Sequence, residues 1–322
     1  MYIQKLKRIV TRHAENLSGT VDTGIGFIDD VMGGISPKDL IVIGGKTGFG
    51  KTEFCTQVCG NISKQHRTAS FLALEAEEDE IDQRLIFREL ADLYFAIPKE
   101  KRPPSDWVSY RNFYKGLLTT SLYDLVKQAS DNVAMKMDGI NIVYPKDMSA
   151  SGLCEFLERE ADQYDLLIVD HLHYLEPEKN EKEYESIIKA IKMIRDRALV
   201  AGKPVLLVSH LRKSDRFNKD KFPSIDDLHG SSEISKRATG VILIDRAKPN
   251  SFTALGINTH PTIFNVPKYR HGGAPINFFG VHNFEIETQQ FSKRYLLMVR
   301  EGDELELYRG EFPWWAKRAM RV

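Results

Sequence analysis

Five short apolar runs punctuate the chain, and longer stretches with helical spacing separate them. The runs are Leu40 to Ile43, Ser70 to Leu74, Leu166 to Val169, Val205 to Val208 and Val241 to Ile244. Each is continuous rather than alternating, the pattern of a central strand covered on both faces. Between them, Ile81 to Leu93 and Tyr184 to Leu199 carry apolar residues at amphipathic-helix spacing. This alternation predicts an α/β fold with a mostly parallel sheet and crossover helices. Pro98 to Pro104 and Asn218 to Pro223 read as surface loops, too short to separate domains.

Composition narrows the setting. The 322 residues suffice for one large core. Lys+Arg and Asp+Glu both number 45, so the formal net charge is zero and any polyanion site must be a local patch. Three cysteines, Cys55, Cys59 and Cys154, exclude a disulfide framework and zinc-finger spacing. No apolar run approaches the roughly 18 residues that span a bilayer, so no membrane partner is expected and the compartment is read as cytoplasmic. The first residues, MYIQKLKRIVTRHAEN, are basic and place Ile3, Leu6, Ile9 and Val10 at helical spacing. They predict a short docking helix over residues 1–18.

The strongest local signal is Gly45-Lys46-Thr47-Gly48-Phe49-Gly50-Lys51-Thr52, a complete G-x-x-x-x-G-K-[ST] between an expected strand and an expected helix. In that setting backbone N–H groups converge on phosphates, and the helix N-terminus adds a favourable dipole. Lys51 is expected to reach the β- and γ-phosphates of ATP, and the Thr52 hydroxyl to bind Mg²⁺. Asp170 closes an apolar run, which suits a second magnesium ligand or an Asp capping the next loop. Glu75 closes another; it reads either as a carboxylate orienting the attacking water or as one of a solvated cluster with Glu77, Glu78 and Asp79. His210 ends a third run, as a γ-phosphate sensor or a capping histidine. His171 and His173 are expected on opposite sides of the chain, which speaks against zinc among the three histidines.

The order of these motifs carries a resemblance. TGIGFIDDVMGGISPKDLIVIGGKTGFGKT resembles the start of the RecA-like core shared by recombinases, KaiC-type ATPases and replicative helicases. VLLVSHLRK, PSIDDLHGSSEISKRATGVILI and VPKYRHGG then resemble the hexameric replicative helicase family of DnaB, Twinkle and the phage primase-helicases. DnaB-type enzymes usually carry Gln where this chain has His210. The resemblance covers about residues 19–291.

The resemblance implies a RecA-like P-loop NTPase core over residues 19–294, with C-terminal antiparallel strands. It implies ATP-dependent translocation on single-stranded DNA by a ring, a hexamer in that family, with ATP hydrolysed between subunits. Glu75 becomes the catalytic base and His210 the phosphate sensor. Lys268 and Arg270, in K-x-R, become the finger inserted into a neighbour's site. Gly45, Thr47, Gly48, Gly50, Lys51, Thr52 and Asp170 hold the nucleotide. DNA loops map around Pro177 to Glu183 and Asp226 to Lys236. The expected DNA contacts are Arg212, Lys213, Lys219, Lys221, His229, Gly230, Ser231, Ser232 and Lys236, with Arg216 in the same patch. A solvated charged loop is the plainer reading of that patch, because Asp215 and Asp220 interrupt it. Family members often carry further domains upstream, so a separate primase or loader is an expected partner. Residues 295–322, ending FPWWAKRAMRV, are an aromatic-basic extension without a match. The rival reading is a KaiC- or recombinase-like ATPase that binds DNA without unwinding it.

Overall fold

The computed structural model describes residues 3–4, 6, 11, 19–102, 107–160, 162–211, 222–228, 230–249, 251–257, 260–302 and 304–321. All five apolar runs become strands, with ends that move by at most two residues. The strands are β1 (Leu40–Gly45), β2 (Ala69–Ala73), β3 (Ile140–Val143), β4 (Leu166–Asp170), β5 (Val205–His210) and β6 (Gly240–Arg246). They continue as β7 (Pro261–Tyr269), β8 (Phe278–Glu285), β9 (Gln290–Phe291), β10 (Leu296–Glu301) and β11 (Glu304–Leu307). The helices are α1 (Gly26–Met32), α2 (Lys51–Lys64), α3 (Glu80–Ala96), α4 (Tyr110–Tyr114), α5 (Tyr123–Lys136), α6 (Ala150–Glu160), α7 (Glu183–Ala201) and α8 (Ser231–Arg237).

Among the described residues one sheet runs β11-β10-β8-β7-β6-β1-β5-β4-β2-β3, with β9 paired to β8. From β6 to β3 every pairing is parallel, and from β6 to β11 every pairing is antiparallel. Strand alternation divides the core in two. Ile41 and Ile43 face a layer containing Phe27, Phe54 and Phe264, while Leu40 and Val42 face Phe156, Ile191 and Ile194. Covering both faces is why these strands are apolar without interruption. β3, which the run pattern does not mark, is an edge strand of half-buried residues.

Between β2 and β3 lies a helical insert with its own small aromatic core. Phe87 and Tyr94 of α3 pack their rings 5.4 and 4.9 Å from Trp107, and Phe113 and Leu122 close the cluster. Beneath it, buried Arg88 donates from Nη2 to the Glu53 carboxylate at 2.6 Å and to the Glu53 carbonyl at 3.0 Å. Breaking a buried ion pair strands the remaining charge. Arg88→Met is therefore expected to lower unfolding free energy by about 3 kcal/mol, read from the urea midpoint at unchanged slope. A loss below about 0.5 kcal/mol, the level of surface substitutions, would show that Arg84, which also pairs with the Glu53 carboxylate, satisfies it alone.

Residues 295–321 continue the sheet through β10 and β11 and fold back onto α1. Tyr295, fully buried, donates its hydroxyl to Asp30 at 3.0 Å, and the Arg318 backbone N–H donates to the same carboxylate at 2.6 Å. Trp315 packs edge-on to Phe27, whereas Trp314 is 87% exposed. Most of the expected docking helix over 1–18 lies outside the described residues; Ile3 and Leu6 within it are helical and exposed. No helix among the described residues is long and apolar enough to cross a membrane.

Candidate active site

The parallel strands end on one side, and the strand order places the expected site residues there together. Gly45 of β1 is level with His210 of β5, and Asp170 of β4 is level with Ala73 of β2, two residues before Glu75. Backbone N–H groups of Leu74 and Glu75 both donate to the Asp170 carbonyl, at 2.6 and 3.3 Å. Between β1 and α2 the loop turns through Gly48 and Gly50 at φ +78° and +93°, a conformation that glycine adopts without a Cβ penalty.

Lys51 is buried, and its ammonium donates to the carbonyls of Gly45 at 3.0 Å and Lys46 at 3.1 Å. Burial lowers its pKa, against the opposing pull of Asp170 and Glu75. Thr52 donates its hydroxyl to Asp170 Oδ2 at 2.7 Å. Burial raises the Asp170 carboxyl, with the Thr52 hydrogen bond opposing it. The other carboxylate oxygen, Oδ1, is buried with no hydrogen-bond partner. A hydroxyl beside an unsatisfied buried carboxylate oxygen is an all-oxygen donor set that fits a magnesium ion.

The three histidines come together, contrary to the expectation for His171 and His173. Residues two apart on an extended strand share a side, so alternation gives no ground for separating them; the chain leaves β4 for a 3₁₀ turn, Leu172–Tyr174, and the His171 and His173 rings lie 5.3 Å apart. The His173 backbone N–H donates to His171 Nδ1 at 3.3 Å. His171 Nε2 stands 2.8 Å from Glu75 Oε2 and 2.6 Å from His210 Nε2. That contact from His171 is the main cause holding the Glu75 carboxyl below its ordinary pKa, against burial. On its other side His210 Nδ1 lies 3.4 Å from Thr47 Oγ1. Donor atoms of Glu75, His171 and His210 lie within 4.8 Å of one another, close enough to hold a metal. With Nδ1 accepting an amide, however, His171 carries its proton on Nε2, where a metal would have to bind.

The strand ends open into a cavity of about 750 Å³. It is lined by Thr47, Lys51, Thr52, Glu75 and His210, and also by residues no motif marks: Arg84, Tyr110, Tyr114 and Arg246. The Arg246 guanidinium sits 5.9 Å from the rings of both Phe49 and Phe284, a flat cationic surface suited to a nucleobase. Tyr110 and Tyr114 come from the helical insert, so only the tertiary fold brings them here.

Lys268 and Arg270 are not part of this cluster. Phe264 of β7 is level with Ile244 and thus with Gly45, while Lys268 is level with Val241 at the opposite end of the sheet. Four residues of strand separate them, about 13 Å. Lys268 donates from its ammonium to the Ser235 carbonyl and Arg270 from its guanidinium to the Lys236 carbonyl, both in α8. Burial and the nearby Arg270 and Arg195 push the Lys268 pKa down to about 8. Gly230, at φ +70°, is the N-cap residue before α8; Ser232 and Lys236 on that helix are exposed, and Lys236 pairs with Glu233 at 3.3 Å. Ser231 begins the helix. Arg212, Lys213, Arg216, Lys219, Lys221 and His229 lie outside the described residues. The segment around Pro177 to Glu183 carries Glu178, Glu181 and Glu183 against Lys179 and Lys182, an excess of negative charge that does not favour phosphate contacts.

Residues 20–293 match the family model described as "DnaB-like helicase C terminal domain". The chain belongs to that family. Among curated proteins it is 22% identical over 271 residues to a "Probable plasmid replicative DNA helicase" of Chlamydia trachomatis, covering 82% of this chain and 56% of the relative. The chain spans about half the length of the curated relatives it matches. Among solved structures it is similar to an ATPase domain at TM-score 0.71 and 18% identity, covering 90% of this chain and 97% of that one. A second, "The Structure Of A DnaB-Like Replicative Helicase And Its Interactions With Primase", gives TM-score 0.66 at 18% identity, covering 84% and 61%. These likenesses bear out the RecA-like fold of DnaB-type ATPase domains, parallel core and antiparallel C-terminal strands included.

Proposed function

We propose that this DnaB-like domain hydrolyses ATP with Mg²⁺ between neighbouring copies of a ring and uses the cycle to translocate along single-stranded DNA and part a duplex. The observation that carries the reading is the division of the machinery. The phosphate loop, Thr52, Asp170, Glu75 and His210 share one end of the sheet, while Lys268 and Arg270 stand at the other. A finger about 13 Å of strand from its own loop is suited to the next subunit's γ-phosphate, where a guanidinium stabilises spread phosphoryl charge.

In this reading Glu75 orients and deprotonates the attacking water, and His210 contacts the γ-phosphate. Thr52 and Asp170 would hold Mg²⁺, which supplies charge neutralisation at the phosphates. Arg246 receives the base. Because Lys268 and Arg270 are tied to α8, movement of the finger is transmitted to a helix that starts in the expected DNA-contacting segment. The DNA-facing residues are Gly230, Ser231, Ser232 and Lys236, with Arg212, Lys213, Lys219, Lys221 and His229 of the neighbouring sequence. Further copies of the chain in a six-membered ring, single-stranded DNA and a primase or loader are the proposed partners.

A forked duplex with one labelled strand tests this. ATP-dependent strand release is expected, and binding should weaken as salt rises because phosphate contacts release counterions. DNA-stimulated hydrolysis without strand release would instead place the chain with KaiC- or recombinase-like ATPases.

A further inference from the structure

The proposed chemistry leaves His171 without a task, although it is 1% exposed and touches both groups that chemistry needs. The His173 amide on Nδ1 fixes the proton of a neutral His171 on Nε2. That single N–H faces two acceptors, Glu75 Oε2 at 2.8 Å and His210 Nε2 at 2.6 Å, which are themselves 4.0 Å apart. When it is given to Glu75, the carboxylate is held away from the water it must deprotonate. When it is given to His210, that ring carries its own proton on Nδ1, the nitrogen facing Thr47 and the phosphate loop at 3.4 Å. A ring nitrogen that donates to a phosphate oxygen makes its opposite nitrogen a better acceptor, because hydrogen bonds in a chain polarise one another.

We infer that His171 is a positioning residue that passes its Nε2–H from Glu75 to His210 when a γ-phosphate engages His210, so that the base is released only over a triphosphate. No proton changes owner; one hydrogen bond is exchanged for another. Bound diphosphate, which lacks the group that polarises His210, leaves Glu75 restrained. The inference rests on the reading of Glu75 as base and His210 as sensor.

The test is a pair of substitutions read against each other in the assembled protein with single-stranded DNA and Mg-ATP. His210→Ala traps the N–H on Glu75 and is expected to lower kcat by about 10²-fold. Adding His171→Leu removes the trap, so the double variant is expected to recover roughly tenfold over His210→Ala, the size of one positioned hydrogen bond. His171→Leu alone is expected to lower kcat with KM for ATP changed less than about threefold, and His171→Asn, which restores an amide N–H, to regain most of the loss. If His171→Leu lowers the melting temperature, His171→Phe keeps a ring against Tyr174 without the N–H and replaces it in the cycle. A double variant no faster than His210→Ala overturns the proposal. Full hydrolysis by Glu75→Gln would be a distinct failure, since it removes Glu75 as base whatever His171 does.

Discussion

Arg270→Ala is expected to slow steady-state ATP hydrolysis by about 10³-fold or more, within the range measured for arginine fingers. It should do so without disturbing the phosphate loop of its own chain. The register separates the two: Arg270 follows Tyr269, which is level with Gly240, while the loop follows Gly45, which is level with Ile244. What the guanidinium touches now is the exposed carbonyl of Lys236, a contact worth about 1 kcal/mol and cheaply given up to water or phosphate. Lys51→Ala is expected to be as inactive, for the opposite reason. It keeps the finger and loses the ammonium that reaches the β- and γ-phosphates. Neither variant alone assembles a working site. Mixed and allowed to exchange subunits, they bring an intact loop beside an intact finger at some interfaces. The expected result is activity that rises on mixing, to at least about tenfold above either variant, with a maximum near equal amounts. A mixture no faster than the average of its parts would mean that each site is built from one chain.

How much of this was legible in the sequence depends on whether a residue's role is fixed by its own backbone or by its neighbours. The phosphate loop was legible because its geometry demands glycine at Gly48 and Gly50, and such a demand is written in residue type. Asp170 and His210 were legible because a polar residue ending an apolar run sits at a strand's edge, and parallel strands gather those edges. The separation expected for His171 and His173 fails on its own premise, because residues two apart on a strand lie on one side, and their rings meet 5.3 Å apart where β4 gives way to a 3₁₀ turn. Nothing local marks Tyr110, Tyr114 or Arg84 as lining the cavity; the aromatic packing of Phe87, Trp107 and Phe113 puts them there. The K-x-R motif was legible as a motif, but its distance from its own loop is a matter of register, which only pairing with β6 reveals. The same holds for residues 295–321. Their aromatic and basic residues suggest a tail, yet Tyr295 and Arg318 converge on one buried aspartate of α1.

Asp170→Asn is expected to separate activity from stability in opposite directions. Hydrolysis with Mg²⁺ should fall by about 10³-fold, because a metal contributes several kcal/mol of charge stabilisation at the transferring phosphate and an amide is a poor ligand for it. At pH above the raised native pKa of Asp170 the metal-free protein should nevertheless melt at a higher temperature, by about 2 °C, the shift that roughly 1 kcal/mol gives in a large domain. The sign follows from burial. Asp170 is fully buried and its carboxyl titrates above the ordinary value, so the native state binds that proton more tightly than the unfolded chain does. Stability from this group is therefore fully present below the unfolded pKa and is lost as pH rises through the higher native one. Above that raised native pKa the wild-type chain holds an ionised carboxylate whose Oδ1 lacks a hydrogen bond, while the amide variant carries no charge to bury. Melting curves in a chelator should accordingly converge as pH falls below the raised native pKa of Asp170 and diverge as pH rises through it. Adding Mg-nucleotide should reverse the order, since only the wild-type chain gains binding free energy from the metal. An Asn variant that is less stable at every pH would show that Asp170 serves the fold, with Thr52 as its structural partner. The expected crossover would show a charge kept buried, at the expense of the free protein, for the sake of an ion.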